Sequence, residues 1–364
     1  MLICAGGTGG GVYPALSVHN ALKAAWPETQ ILWVGGEGGM EAGLVKRAGI
    51  AFKAIPAAGI HGISLKQMPA NLISIARGIR SARAILNEFQ PDVMFFTGGY
   101  VAVPMAVAGR NIPSVLYVPD IEPGLALKAL ANFAGCITVT SEQSKQFFSG
   151  RKNIVVTGYP LREELLCWNK DSARKHFNIS GDRPVLLVFG GSKGARSLNM
   201  ALLAHLDVML ERMEIIHITG ELDWPQVMEK SSNLPAHKAT YYHSFPYLHE
   251  DMGAAVAAAD VALSRAGASV LGEFPHFGTP AILVPYPYAW RYQKVNADVL
   301  VSAGAALMIE DARLMDALLP AVENLFDHPN ILESMHSAME SLRTPNAAHA
   351  IAEKVSEMAG ARSL

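Results

Sequence analysis

The chain has 364 residues, half of them hydrophobic and 17% charged, with a formal net charge of −2. That length fits two domains with a core in each and excludes a disordered chain. The charge balance argues against a dedicated nucleic-acid binder, which carries a basic excess. Cys4, Cys136 and Cys167 form an odd set without a CxxC pair. Neither a disulfide framework nor a zinc signature is expected, and a reduced compartment fits.

Met1 leads directly into a strand and a glycine turn, which is not the pattern of a secretory signal. Uncharged runs at 93–109 and 274–290 fall short of the ~20 residues that a membrane span needs. A soluble chain able to sit on a membrane surface is expected. Short apolar runs then alternate with amphipathic stretches, the signature of βαβ units and parallel sheets.

Strands are predicted at 2–6, 31–36, 52–57, 93–99, 114–120, 136–141 and 153–158, with helices between most of them, such as 15–25 and 69–87. A second series starts at "PVLLVFGGS" (184–192) and continues at 214–220, 239–245, 261–267, 280–286 and 305–310. The break falls near "GYPLREELL" (158–166). The chain reads as two doubly wound α/β domains facing across a cleft. The expected boundaries are 1–160 and 161–330, followed by a helical tail over 331–364 that packs back on the first domain.

Three glycine turns each follow a strand and open a helix: "GGTGGG" (6–11), "GGSKGARSLN" (190–199) and "SRAGASVLGE" (264–273). Glycine lets the backbone approach an anion, and the helix start offers unpaired N–H groups at the positive end of its dipole. A glycine after a strand can also be only a tight turn. None of the three is a Walker motif or a GxGxxG followed by an acid about twenty residues on. Glu273 reads equally as an acceptor for ribose hydroxyls or as a carboxylate favoured near a helix start.

These stretches, in this order, resemble the MurG family of glycosyltransferases. The matching pieces are "GGTGG" with "VYPAL" (6–16), "TGGYVAVP" (97–104), "GYPLREEL" (158–165), "GGSKGARSLN", "SRAGASVLGE" and "VPYPYAWRYQKVNA" (284–297). The resemblance implies a GT-B fold and an inverting transfer of N-acetylglucosamine from UDP-GlcNAc to undecaprenyl-linked lipid I, forming lipid II. It places the acceptor in the first domain and UDP-GlcNAc mainly in the second, at the cytoplasmic face of the membrane. Carried over by position, Thr8, Gly9 and Gly10 approach the sugar and diphosphate, and Arg162 and Ser192 contact the diphosphate or sugar. Ala268, Ser269, Val270, Leu271, Gly272 and Glu273 hold the nucleoside, with Glu273 on the ribose, and Gln293 meets the GlcNAc hydroxyls. At the uracil region, "FPYLHEDM" (245–252) leaves the choice between Leu248 and His249 open. No metal or cofactor is expected.

Two departures from the family pattern matter. The histidine that usually follows "GGTGG" is Gly11, and the "HEQN" stretch reads "YVPD" from Tyr117 to Asp120. An acceptor hydroxyl must lose a proton as it attacks, and a positioned base contributes ~10²–10⁴-fold. Gly11 cannot be that base. Asp120 is the first candidate, Glu122 the second and His61 the third, and His19 reads as an ordinary helix residue. Asp120 reads alternatively as a cap for the helix that follows. Between Glu41 and Glu88 there is no acidic residue. Leu72, Ile75, Ile79 and Leu86 read as the buried stripe of the helix there, while Ile73, Arg77 and Arg80 share another face. That face suits an anionic membrane surface, or is simply solvated.

Overall fold

The structure, a computed structural model, describes residues 1–7, 9–57, 68–148, 150, 153–191 and 194–360; the side chains of residues 68–72 and 290 are outside that description. The chain forms two compact units, Met1–Arg162 with Asn346–Leu364, and Glu163–Pro345. Residues 331–345, expected in the terminal tail, therefore belong to the second unit. The reason is burial: Met335, on the helix Pro329–Ser341, lies in that unit's core with Leu318 and Leu325.

The first unit holds seven parallel strands: β1 (Leu2–Cys4), β2 (Leu32–Gly36), β3 (Ala51–Ile55), β4 (Met94–Phe96), β5 (Ser114–Val118), β6 (Cys136–Val139) and β7 (Ile154–Val156). Their order is β3-β2-β1-β4-β5-β6-β7, with Leu2 opposite both Leu32 and Met94. Side chains alternate between two covered faces, as a sheet buried on both sides requires. Leu2, Cys4, Val34, Phe96 and Leu116 pack on one face. Ile3, Trp33, Phe95, Val115 and Tyr117 pack on the other, under Val12 and Val18 and under Ile351 and Val355 of the last helix, Ala347–Gly360.

The second unit repeats the plan with β8 (Val185–Phe189), β9 (Glu214–Ile218), β10 (Tyr242–Phe245), β11 (Val261–Ser264), β12 (Ala281–Leu283) and β13 (Ala306–Met308). All pair in parallel in the order β10-β9-β8-β11-β12-β13. In each sheet the strand order reverses once, between β1 and β4 and between β8 and β11. An open α/β sheet binds ligands at such a point, beyond the carboxyl ends of the strands.

Several element boundaries differ from expectation. The first helix starts at Gly9, six residues earlier than expected, so Gly9, Gly10 and Gly11 form its first turn. Glycine disfavours helix by ~1 kcal/mol per residue, yet the helix begins there, and the buried Thr97 hydroxyl donates to the Gly11 carbonyl at 2.8 Å. The helix expected over 69–87 spans Met68–Phe89. On it Ala82, Ile85 and Leu86 are buried and Ile75 and Ile79 half-buried, while the Leu72 side chain lies outside the described residues. The strand expected from 239 starts at Tyr242, since Ala236–Ala239 make a helical turn first.

Candidate active site

In the first unit both turns at the strand-order reversal are glycine-rich, and they lie backbone on backbone. Gly99 has φ +87°, and a Cβ there would sit 2.7 Å from the Gly6 carbonyl oxygen, so only glycine fits. Helix geometry leaves the first-turn N–H groups of Gly9, Gly10 and Gly11 without an intrahelical acceptor, at the positive end of the dipole. The Gly7 N–H is directed elsewhere, to Glu41 Oε2 through a long bond of 3.4 Å. Glu41 is 1% exposed, and its other oxygen accepts from the Gly36 N–H at 2.7 Å. Sequence reasoning missed this carboxylate. The one signal was the second acid of "GGEGGME" (35–41), Glu41, behind the glycines at the first residue of the helix Glu41–Arg47.

Arg162 is placed by an aromatic ring. Its guanidinium lies over Tyr13, 4.6 Å from the centroid. The same ring packs against Gly9, where a Cβ would come within 3.2 Å of Tyr13 Cε2. The cation thus stands on a ring that touches the start of the helix. Thr8, Ser192 and His61 lie outside the described residues.

Gly11, where the family pattern has histidine, is buried, but a Cβ there would make only ordinary contacts, 3.5 Å to Thr97 Oγ1 and 3.6 Å to Thr97 O. His19 lies eight residues on, about 12 Å along the helix. Its ring contacts Asn20 Oδ1 at 3.0 Å, and burial pushes its pKa down.

Asp120 stands two residues beyond β5 and is half-buried. It does not cap the following helix, Leu125–Leu130, whose N-cap is Gly124. The Tyr117 ring beneath is fully buried, and its hydroxyl contacts Thr140 Oγ1 at 2.8 Å. Glu122 is 4% exposed and accepts from Lys128 Nζ at 3.2 Å, and that ammonium is also 5.8 Å from the Phe147 ring.

In the second unit the turn after β8 packs onto the end of β9. Gly194 has φ +74°, and a Cβ there would sit 2.3 Å from the Thr219 carbonyl oxygen. The helix that follows, Arg196–Arg212, is pinned by a buried network. Asn199 Nδ2 donates to the Thr219 carbonyl and to Asp223 Oδ2, each at 2.8 Å, and Arg196 pairs with Asp223 at 2.6 Å. Asn199 Oδ1 meets His217 Nε2 at 2.9 Å, and His217 Nδ1 meets the Tyr242 hydroxyl at 2.7 Å. Because the amide oxygen can only accept, Nε2 carries the proton and Nδ1 accepts from Tyr242. Burial pushes His217 down to about 3, so it stays neutral. The arginine and asparagine of "GGSKGARSLN" are thus engaged in holding the turn.

Arg265 joins the other motifs. It donates to Asp311 at 2.5 Å, to the Val284 carbonyl at 3.0 Å and to Ser197 Oγ at 2.7 Å, with Tyr286 5.3 Å away under its guanidinium. From Ala268 to Glu273 the chain enters the helix Val270–Phe277. Ala268, Val270 and Leu271 are buried, so there the backbone is what a nucleoside would meet, with Ser269, Gly272 and the half-buried Glu273 beside it. Gln293 Oε1 accepts from the Tyr286 N–H at 2.8 Å, which leaves its NH₂ as the end able to donate. Leu248 lines a cavity of about 580 Å³ with Phe177, Trp224, Tyr242 and Phe245. His249 is exposed, its ring against Tyr247 with centroids 4.7 Å apart.

Among the described residues no three His, Cys, Asp or Glu gather as metal ligands, and no helix is long and apolar enough to cross a membrane.

Known proteins match nearly the whole chain. The glycosyltransferase family 28 N-terminal domain matches residues 1–139 and the family 28 C-terminal domain matches residues 185–351. Two curated relatives carry the name UDP-N-acetylglucosamine–N-acetylmuramyl-(pentapeptide) pyrophosphoryl-undecaprenol N-acetylglucosamine transferase. The one from Roseiflexus sp. (strain RS-1) is 37% identical over 95% of this chain and 92% of its own. The one from Desulforamulus reducens is 37% identical over 95% of both. The crystal structure of Acinetobacter baumannii MurG has TM-score 0.77 and 25% identity, covering 98% of this chain and 99% of that one. A UDP-GlcNAc 2-epimerase from Neisseria meningitidis shares the fold at TM-score 0.68 and 14% identity. The two parallel-sheet units are those of the GT-B type.

Proposed function

Because the chain belongs to the MurG family of glycosyltransferases, we propose that it transfers N-acetylglucosamine from UDP-GlcNAc to undecaprenyl-linked lipid I, forming lipid II. The observation that carries this reading is relatives named for that reaction, 37% identical over 95% of the chain. The acceptor hydroxyl attacks the anomeric carbon as the bond to the diphosphate breaks, inverting that centre. Asp120 takes the hydroxyl proton. The departing UDP gains negative charge, and Arg162 with the N–H groups of Gly9 and Gly10 supplies positive charge suited to it. Thr8 and Ser192 belong to the same proposal.

In the second unit the backbone from Ala268 to Gly272 holds the nucleoside and Glu273 accepts from the ribose hydroxyls. Leu248, half-buried beside an open cavity, suits the uracil better than the exposed His249. Gln293 reaches a GlcNAc hydroxyl through its NH₂. In the first unit Ile73, Arg77 and Arg80 are all exposed on the helix Met68–Phe89. They meet anionic lipid at the cytoplasmic face, where the acceptor's lipid tail lies.

Incubation with labelled UDP-GlcNAc and a soluble lipid I analogue, beside analogues with other lipid-linked heads, tests the reading. Label on the lipid I analogue is expected. Transfer only to another head makes the chain a lipid glycosyltransferase of different acceptor. Donor binding without transfer to any acceptor makes it a sugar-nucleotide binder that has lost catalysis.

A further inference from the structure

Two buried hydroxyls stand in series behind Asp120. Tyr117 is fully buried and its hydroxyl lies 2.8 Å from Thr140 Oγ1. Thr140, 6% exposed and next after β6, reaches the Pro119 carbonyl at 2.8 Å and the Val118 carbonyl at 3.2 Å. Thr140 has one proton, and carbonyl oxygens only accept. Its O–H therefore donates to the carbonyls, and the Tyr117 O–H must donate to Thr140.

The chain of donors ends on the peptide group that joins Pro119 to Asp120. Val118 is the last residue of β5 paired with β6, opposite Val139, so the Pro119 carbonyl lies beyond the ladder. Proline brings no N–H to hold its own turn. Burial pushes the Tyr117 phenol above its usual range, so it remains a donor at working pH. A base must also be held within about 0.5 Å of its productive place.

We propose that Tyr117 and Thr140 are positioning residues that fix the Asp120 turn, so that "YVPD" and Thr140 act as one unit in proton acceptance. The tyrosine that replaces the family's histidine thereby supports a carboxylate instead of acting on substrate itself. This inference rests on Asp120 being the base.

The test is steady-state turnover of UDP-GlcNAc with a lipid I analogue by Thr140→Val, Thr140→Ser and Tyr117→Phe, each in the parent and in an Asp120→Asn background. In the parent, Thr140→Val should lower kcat about 10–100-fold with KM for UDP-GlcNAc within about twofold. Tyr117→Phe should lower it less, about 3–10-fold, because Thr140 still holds Pro119. Thr140→Ser, which keeps the hydroxyl, should stay within about threefold of the parent. In the Asp120→Asn background, Thr140→Val should cost nothing further, since the group being positioned no longer accepts a proton.

An equal loss from Thr140→Val in both backgrounds would mean general structural support and would overturn the proposal. Parental turnover in both Thr140→Val and Tyr117→Phe, with Asp120→Asn impaired, would overturn it while leaving the base in place. Normal turnover in Asp120→Asn would remove the base assignment and this inference with it. Should Thr140→Val fail to fold, the Thr140→Ser and Tyr117→Phe values decide by the same criteria.

Discussion

A carboxylate that takes a proton during one bond-forming step must be ionised, reachable and held still. Of three acids of the first unit, Asp120 is the one proposed for that role. Glu41 is buried and spends its oxygens on the N–H groups of Gly7 and Gly36, and Glu122 is buried against Lys128. Asp120 is half-buried, two residues beyond β5. Asp120→Asn keeps shape and removes proton acceptance, so kcat should fall about 10²-fold or more with UDP-GlcNAc affinity little changed. Unchanged turnover would send the search for a base elsewhere. Glu273→Ala should weaken UDP binding in calorimetry while the melting temperature stays near that of the parent, because a half-buried side chain on a helix's first turn supports little packing. Equal affinity for UDP in the two proteins would end the ribose assignment.

At the scale of elements, most strands were legible because they are short apolar runs bounded by glycine or proline, whereas β10, "YHSF", starts later than expected. Helix starts were less so. The first helix begins inside its own glycine turn, where Thr97, far along the chain, donates to the Gly11 carbonyl. No local propensity reports such a partner. The same holds for Glu41, and for Arg265, which reads as a motif residue until its bonds to Asp311 and Ser197 are seen. Asn199 and His217 belong to one buried network, and the pH dependence of stability follows from it. Folding lowers the His217 pKa from 6.5 to about 3. Above pH 6.5 neither state binds the proton, and this stabilising contribution is complete. As pH falls from 6.5 toward 3 the unfolded chain takes a proton that the folded one refuses, and stability drops by up to about 1.4 kcal/mol per pH unit. Urea midpoints should therefore fall more steeply from pH 6 to 4 in the parent than in His217→Gln, which keeps a donor and an acceptor without titrating. Parallel slopes would show that the imidazole does not govern acid stability.

At the scale of the whole molecule, two units repeat one plan, and each offers its glycine turns where the strand order reverses. The exposed Ile73, Arg77 and Arg80 give the first unit a face whose charge suits anionic lipid, each cation near the surface contributing ~1 kcal/mol. Arg77→Glu with Arg80→Glu should cut binding to phosphatidylglycerol vesicles several-fold while transfer to a soluble acceptor analogue persists. Equal sedimentation with vesicles by variant and parent would remove the membrane assignment. The most direct test of the whole account places undecaprenyl-linked lipid I in such vesicles with the purified chain and UDP-GlcNAc labelled in the sugar. The account predicts that label enters the lipid fraction as lipid II, β-linked, with one UDP released per sugar transferred. UDP-GlcNAc that binds the chain yet leaves the lipid unlabelled would contradict it.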